Sequence, residues 1–256
     1  MTDSRRIKGR QVAIDYDATQ SFFESRGQRE YTNLLSATMY QDREPDLVAA
    51  RDLAEKAAVA AVLGLSGVKS ALDIGCGIGR WGWFLVEHCP RLQYLGLDFS
   101  SSLIGKARQE AEQRGIAGLS FQVMSATDIR ADELAVPGPF DLLLISGLLI
   151  YLNDEDCVKV LRDAACFCAP GGAIYLREPV GVSERFTLDR YYSEELADEY
   201  SAIYRTVDEL QAMMNAAFAG KAIRIEREGF LFPDGLEKRV ETRQYFFVLR
   251  CEGEQG

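Results

Sequence analysis

Apolar residues in this chain follow two periods. Short aliphatic and aromatic runs at about 69–74, 92–97, 119–124, 140–146 and 172–178 are bounded by turn residues and read as buried strands. Between them, segments at about 79–88, 100–114 and 153–168 carry apolar residues at helical spacing, and Pro170-Gly171-Gly172 marks a turn before the fifth strand. Strand and helix alternate, which predicts an α/β fold with a doubly wound, mainly parallel sheet. An extended run at about 221–230, a Pro233-Asp234-Gly235 turn and the run Gln244–Arg250 predict a closing antiparallel hairpin, for seven strands in all.

Ahead of the alternation, residues from about 46 to 64 read as an Ala-rich amphipathic helix with Pro45 at its start and Gly64 at its end. Two portions stand outside the pattern. One is the segment 1–45, with Tyr16, Phe22, Phe23, Tyr31 and Tyr40; the other is an insertion at about 183–204, rich in Tyr and Glu. Doubly wound sheets bind ligands at the carboxyl ends of their strands, so both are expected to serve as lid segments on one domain spanning 46–256.

Composition narrows the class. The chain has 256 residues, 47% hydrophobic and 27% charged, and no apolar run approaches the roughly 20 residues of a membrane span. A net charge of -10 repels phosphate backbones, so a small-molecule partner is expected in place of nucleic acid or membrane, with a homodimer left open. The basic N-terminus runs into Asp15 and Asp17 instead of an apolar core, so no secretory signal is expected. Six cysteines without CxxC spacing suggest neither a metal site nor a disulfide framework, and a cytoplasmic setting is expected. The single histidine, His88, sits at an expected helix end in a capping role.

The chemistry concentrates where the first strand ends. Asp73-Ile-Gly-Cys-Gly-Ile-Gly-Arg80 places Gly75, Gly77 and Gly79 between a strand and a helix, and Asp98 closes the next strand about 20 residues later. Bare backbone lets a ligand approach closely, and a carboxylate at that second strand end accepts hydrogen bonds from ribose hydroxyls. The dinucleotide fingerprint GxGxxG needs its third glycine one residue later than Gly79, and an anionic pyrophosphate gains nothing from Asp73. A cationic amine suits the site better.

Five segments in order resemble the class I S-adenosylmethionine (SAM)-dependent methyltransferases: Ala71–Arg80, Gly96–Ser101, Phe121–Ile129, Phe140–Asp154 and Ala169–Tyr175. The resemblance implies a Rossmann-like fold and SAM as cofactor. It implies that Asp73 and the backbone of Gly75 and Gly77 hold the methionine end, Asp98 the ribose and Phe99 one face of the adenine. Where the family often has Asp-Ala after the third strand, this chain has Ser125-Ala126, leaving the adenine amino group to Ser125 or Asp128; Ser146 of the fourth motif completes the set. Tyr16 and Arg26 resemble the N-terminal pair that some members place over the sulfonium and on the methionine carboxylate.

A sulfonium is already activated, so methyl transfer is an in-line displacement in which positioning contributes roughly 7 to 11 kcal/mol, and a base is needed only when the acceptor must lose a proton. The candidates on the acceptor side are Tyr151, as a pocket wall or hydrogen-bond donor; Glu178, as a proton acceptor or amine anchor; and Arg177, as an anchor for an acidic group. Tyr191, Tyr192, Tyr200, Tyr204 and Arg205 form either an aromatic cluster for a polar ring or ordinary core. The sequence reading is transfer of a methyl group from SAM to an oxygen or nitrogen of a small polar molecule, a sugar or specialised metabolite of natural-product biosynthesis. Its alternatives are an NAD(P)-dependent oxidoreductase and a SAM-binding regulatory protein without turnover.

Overall fold

A computed structural model of the protein describes residues 5–39, 44–237 and 239–252. Tyr40, one of the aromatic residues of the first segment, lies outside them. The chain begins with β1 (Arg6–Lys8), α1 (Tyr16–Gln28), α2 (Ser36–Met39) and α3 (Pro45–Leu63). Asp15 caps α1 by accepting from the amides of Asp17 and Ala18, and Gly64 ends α3 in the left-handed conformation that favours glycine.

The strand–helix alternation follows as β2 (Ser70–Ile74), α4 (Arg80–His88), β3 (Gln93–Asp98), α5 (Ser101–Gln113), β4 (Leu119–Val123), β5 (Phe140–Ser146), α6 (Asp154–Phe167) and β6 (Cys168–Gly181). Then come β7 (Phe186–Ser193), β8 (Asp198–Tyr204), α7 (Val207–Ala217), β9 (Ile223–Phe230) and β10 (Thr242–Cys251). A seven-stranded sheet runs β4-β3-β2-β5-β6-β10-β9, parallel as far as β6, with β10 antiparallel to both of its neighbours. Chain order reverses direction between β2 and β5, and there the cleft opens at the carboxyl ends of the strands.

Period-two alternation divides the core. Leu72, Ile74, Leu143 and Ile145 join Val160, Leu161, Leu210 and Met214 on the side of α6 and α7. Ala71, Leu142, Leu144 and Tyr175 join Val59, Leu63, Trp81 and Ile104 on the side of α3, α4 and α5. Asp73 shares the parity of Ala71, which sets its carboxylate among apolar neighbours.

Two departures from the sequence reading have local causes. The Pro170–Gly172 turn lies within the run of β6, where a register shift lets Phe140 pair with Cys168 and Leu142 with Ala173. The tyrosines of 183–204 sit on strands and not at helical positions: β7 and β8 form a hairpin that β1 extends into a second, three-stranded antiparallel sheet. β1 is only three residues long, too short to show a period in the sequence. A third apolar cluster joins this small sheet to α1, through Phe22, Phe23, Phe186, Leu188, Tyr200 and Tyr204.

Candidate active site

The loop after β2 is built around glycine. Gly75, Gly77 and Gly79 have φ of 75°, 55° and 79°. At Gly77 a β-carbon would also stand 2.5 Å from Thr38 Cγ2, so both backbone and space require glycine there. The Gly77 amide donates to Asp98 Oδ2 at 2.9 Å, and the Ser100 amide donates to Asp98 Oδ1 at 2.9 Å. Asp98 thereby links the loop to the start of α5. Burial raises its pKa to about 6, against the pull of these two amides. Asp73 lies at the end of β2 with Tyr94 donating to its Oδ2 at 2.6 Å, and burial pushes its pKa up to about 7.

A cleft over the β2/β5 switch point is lined by Asp73, Gly75, Gly77, Ser146, Arg177 and Tyr151, with Thr38, Tyr200, Tyr204 and Arg239 on its other walls. The structure therefore brings Asp73, the glycine loop, Ser146, Arg177 and Tyr151 around one space. Phe99 is half-buried and meets Phe23 edge to face at 5.6 Å; Ser125 Oγ pairs with Thr127 Oγ1 at 2.9 Å; Ala126 is buried in the core; Asp128 is exposed. None of these four lines the cleft, and Asp98 stands behind the glycine loop outside the lining.

Three residues are placed differently from their expected roles. Glu178 is 1% exposed and turned under the helical turn Leu149–Tyr151. Its Oε1 accepts from the amides of Leu148 and Leu149 at 2.9 and 2.8 Å, and its Oε2 from Ile150 at 3.3 Å. Burial raises its pKa to about 7, but the side chain does not line the cleft, so the proton-acceptor and amine-anchor roles give way to holding the turn that carries Tyr151. Tyr16 donates to Asp156 and accepts from the Asn153 amide at 2.9 Å, which fastens α1 to the start of α6, away from the cleft lining. Arg26 is fully buried; it donates to the carbonyls of Ser36 and Ala37 and lies over the Tyr31 ring, bracing the turn that delivers Thr38 to Gly77.

The aromatic cluster divides as well. Tyr200 and Tyr204 line the cleft, Tyr191 packs against Tyr200, and Tyr192 is 55% exposed. Arg205 turns away to Asp154 and to the carbonyls of Leu149 and Leu152, bracing the same turn as Glu178 from its other end. His88 Nδ1 lies 2.8 Å from the Phe84 carbonyl in the last turn of α4.

A buried ion network at the base of the cleft was absent from the sequence reading. Glu55 of α3 is fully buried, with Arg80 at 2.8 Å, Arg177 at 3.1 Å and the Tyr175 hydroxyl at 2.9 Å. Burial alone raises a carboxyl pKa; here Arg177 and Arg80 outweigh it and hold Glu55 at about 2. Arg80 also reaches Asp52 at 2.7 Å and Ser146 Oγ at 2.9 Å, and Arg177 reaches Gln244 Oε1 at 3.0 Å. A signal for Glu55 was present: Val48, Asp52, Glu55, Val59 and Leu63 recur at helical spacing on one face, so two acids sit on the stripe that α3 buries. Arg177 is thus already neutralised by Glu55, and its expected role as the anchor of an acidic group is correspondingly weakened.

Residues 71–172 match the family model of the methyltransferase domain. Phosphoethanolamine N-methyltransferase 1 of Triticum aestivum is 29% identical over 165 residues, which is 62% of this chain and 31% of that protein, so the chain spans about a third of that relative's length. A structure of Haemonchus contortus phosphoethanolamine N-methyltransferase 1, in complex with phosphoethanolamine and S-adenosylhomocysteine, superposes with a TM-score of 0.70 at 22% identity, covering 94% of this chain and 49% of that one. A SAM-dependent methyltransferase from Leishmania major gives a TM-score of 0.61 at 19% identity, with 89% and 81% covered. These likenesses carry the fold, and the ordered motifs carry the domain. Residues 71–172, which the glycine loop opens, form a methyltransferase domain, and the fold around them is that of SAM-dependent methyltransferases.

Proposed function

We propose that the protein transfers the methyl group of SAM to an oxygen or nitrogen of a small polar molecule. The observation that carries this reading is the glycine loop fastened to Asp98 beside the buried acid Asp73. The loop's backbone is left bare at Gly77, where a side chain would collide with Thr38 on the cleft wall. Among the described residues, the buried Thr38 Oγ1 and Trp81 Nε1 find no hydrogen-bond partner, and both residues line the cleft. Orphaned polar atoms of this kind are normally met by water or a polar ligand.

Asp73 and the Gly75–Gly77 backbone would hold the methionine end, Asp98 the ribose and Phe99 the adenine, with Ser125 or Asp128 at its amino group. When bound, SAM supplies an electrophilic methyl on a sulfonium. The chain's own part is to exclude water and to hold the acceptor behind that methyl. The segment 1–45 and the insertion at 183–204 act as lids in this reading, since α1 packs on α5 and the small sheet supplies Tyr200 and Tyr204 to the cleft wall. Tyr151, fixed by the turn that Glu178 and Arg205 brace and meeting Phe23 edge to face at 4.9 Å, shapes the acceptor space.

The test is incubation with methyl-labelled SAM and a panel of small amines and alcohols, with label transfer followed by mass spectrometry. Transfer to at least one acceptor supports the reading. Binding of NAD(P) without binding of S-adenosylhomocysteine would overturn it in favour of an oxidoreductase, and stoichiometric SAM binding without product across the panel would favour a regulatory protein.

A further inference from the structure

Four guanidiniums line the cleft, and they are not equivalent. Arg80 is paired with Asp52 and Glu55, and Arg177 with Glu55. Arg51 donates to the Leu236 carbonyl at 2.9 Å and lies over the Phe232 ring at 4.8 Å, so a carbonyl and an aromatic face occupy its head. Arg239, like Arg51, has no carboxylate beside it among the described residues, but it is exposed where Arg51 is buried. Its Nη1 donates to the Tyr204 hydroxyl at 3.2 Å and its Nη2 to the Tyr200 hydroxyl at 3.1 Å, and among the described residues no carboxylate comes within 4.0 Å of it. The two phenols are buried, 4% and 6% exposed, with hydroxyls 3.5 Å apart.

A phenol accepts a hydrogen bond without cancelling a charge. A guanidinium fixed between two buried phenols at a cleft wall therefore keeps its full positive charge, and its planar fork matches the paired oxygens of a carboxylate or phosphate. The fork is oriented in advance by two rigid side chains, which lowers the entropy lost on binding an anion.

We infer that the acceptor carries an anionic group, carboxylate or phosphate, which Arg239 receives between Tyr200 and Tyr204. This rests on the methyltransferase reading for the word acceptor and on Arg239 alone for the anion. It moves the anion anchor expected at Arg177 to a residue on the loop between β9 and β10.

The experiment is calorimetric titration of inorganic phosphate, and separately of acetate, into the full chain saturated with S-adenosylhomocysteine, for wild type and Arg239→Gln. Wild type is expected to bind at least one of the two anions, with affinity at least tenfold weaker in Arg239→Gln and S-adenosylhomocysteine affinity unchanged within twofold. The anion bound more tightly identifies the group. Tyr204→Phe, which keeps the ring and its stacking on Phe186, is expected to weaken the same anion severalfold. Equal anion affinity in wild type and Arg239→Gln, or no anion binding by wild type, would overturn the inference. Failure of wild type to bind S-adenosylhomocysteine would overturn the methyltransferase reading instead, and the titrations repeated without it would still decide the role of Arg239.

Discussion

At the scale of single residues, the same chemical group does different work according to what surrounds it. Asp73, Asp98 and Glu178 are all buried carboxyls with raised pKa values, yet Asp73 lines the cleft, Asp98 ties the glycine loop to α5, and Glu178 spends both oxygens on a turn. Glu178→Gln keeps the size but sets an amide N–H against a backbone N–H, so stability is expected to fall by about 1–3 kcal/mol, read as a lower urea midpoint at unchanged m. An unchanged midpoint would mean that the three amides do not depend on the carboxylate. Asp73 makes a second test. If its ionised form holds the ammonium of the methionine end, affinity for S-adenosylhomocysteine should rise between pH 5.5 and 7.5, as a carboxyl titrating near 7 loses its proton, and Asp73→Asn should bind weakly at all pH with that slope gone. A slope that survives in Asp73→Asn would assign the titration elsewhere. Asp73, Gly77 and Asp98 stood out in the sequence because loop chemistry is local. Glu178 did not reveal its role, because a strand-end acid looks the same whether its side chain enters the cleft or folds under the neighbouring turn.

At the scale of elements, the helix ahead of the domain is bound to the sheet by charge as well as by apolar contact. Glu55 joins α3 to α4 through Arg80 and to β6 through Tyr175 and Arg177, with Ser146 of β5 at 3.4 Å. Taking one member from a buried pair leaves an uncompensated charge, so Glu55→Gln is expected to destabilise the fold by about 3 kcal/mol or more in urea denaturation. A loss below about 1 kcal/mol would show that Asp52 compensates Arg80 alone. The strands and helices of the alternation were legible because each is a buried run of ordinary length with turn residues at its ends. The three-stranded sheet was not, because β1 pairs with β7 across some 180 residues of sequence and β7 bends at a bulge between Leu188 and Tyr191 that breaks its period.

At the scale of the whole molecule, the buried acids set how stability depends on pH. For Asp73, Asp98 and Glu178 the folded pKa lies above the ordinary carboxyl value, so the folded state binds protons more tightly than the unfolded chain. Their contribution is present below about pH 4 and is lost as pH rises through 6 to 7. Glu55 has the opposite sign: its contribution is present above its ordinary value and is lost as pH falls toward 2. The protein is therefore expected to melt at least ~3 °C higher at pH 5 than at pH 8, a difference that scanning calorimetry reads directly. A melting temperature that rises over this interval would contradict the burial of these carboxyls. The methyltransferase domain was legible because five motifs lie in order along the chain. The acceptor was not, because its walls come from α3, the small sheet and the loop before β10, which only the folded chain brings together.

The central claim, that the glycine loop and Asp98 hold SAM, is tested most directly by calorimetric titration of S-adenosylhomocysteine into wild type and Asp98→Ala. Wild type is expected to bind stoichiometrically, and the variant at least tenfold more weakly, about 1.4 kcal/mol. Equal affinity in the two proteins, with Asp98→Ala shown by circular dichroism to be folded, would contradict it.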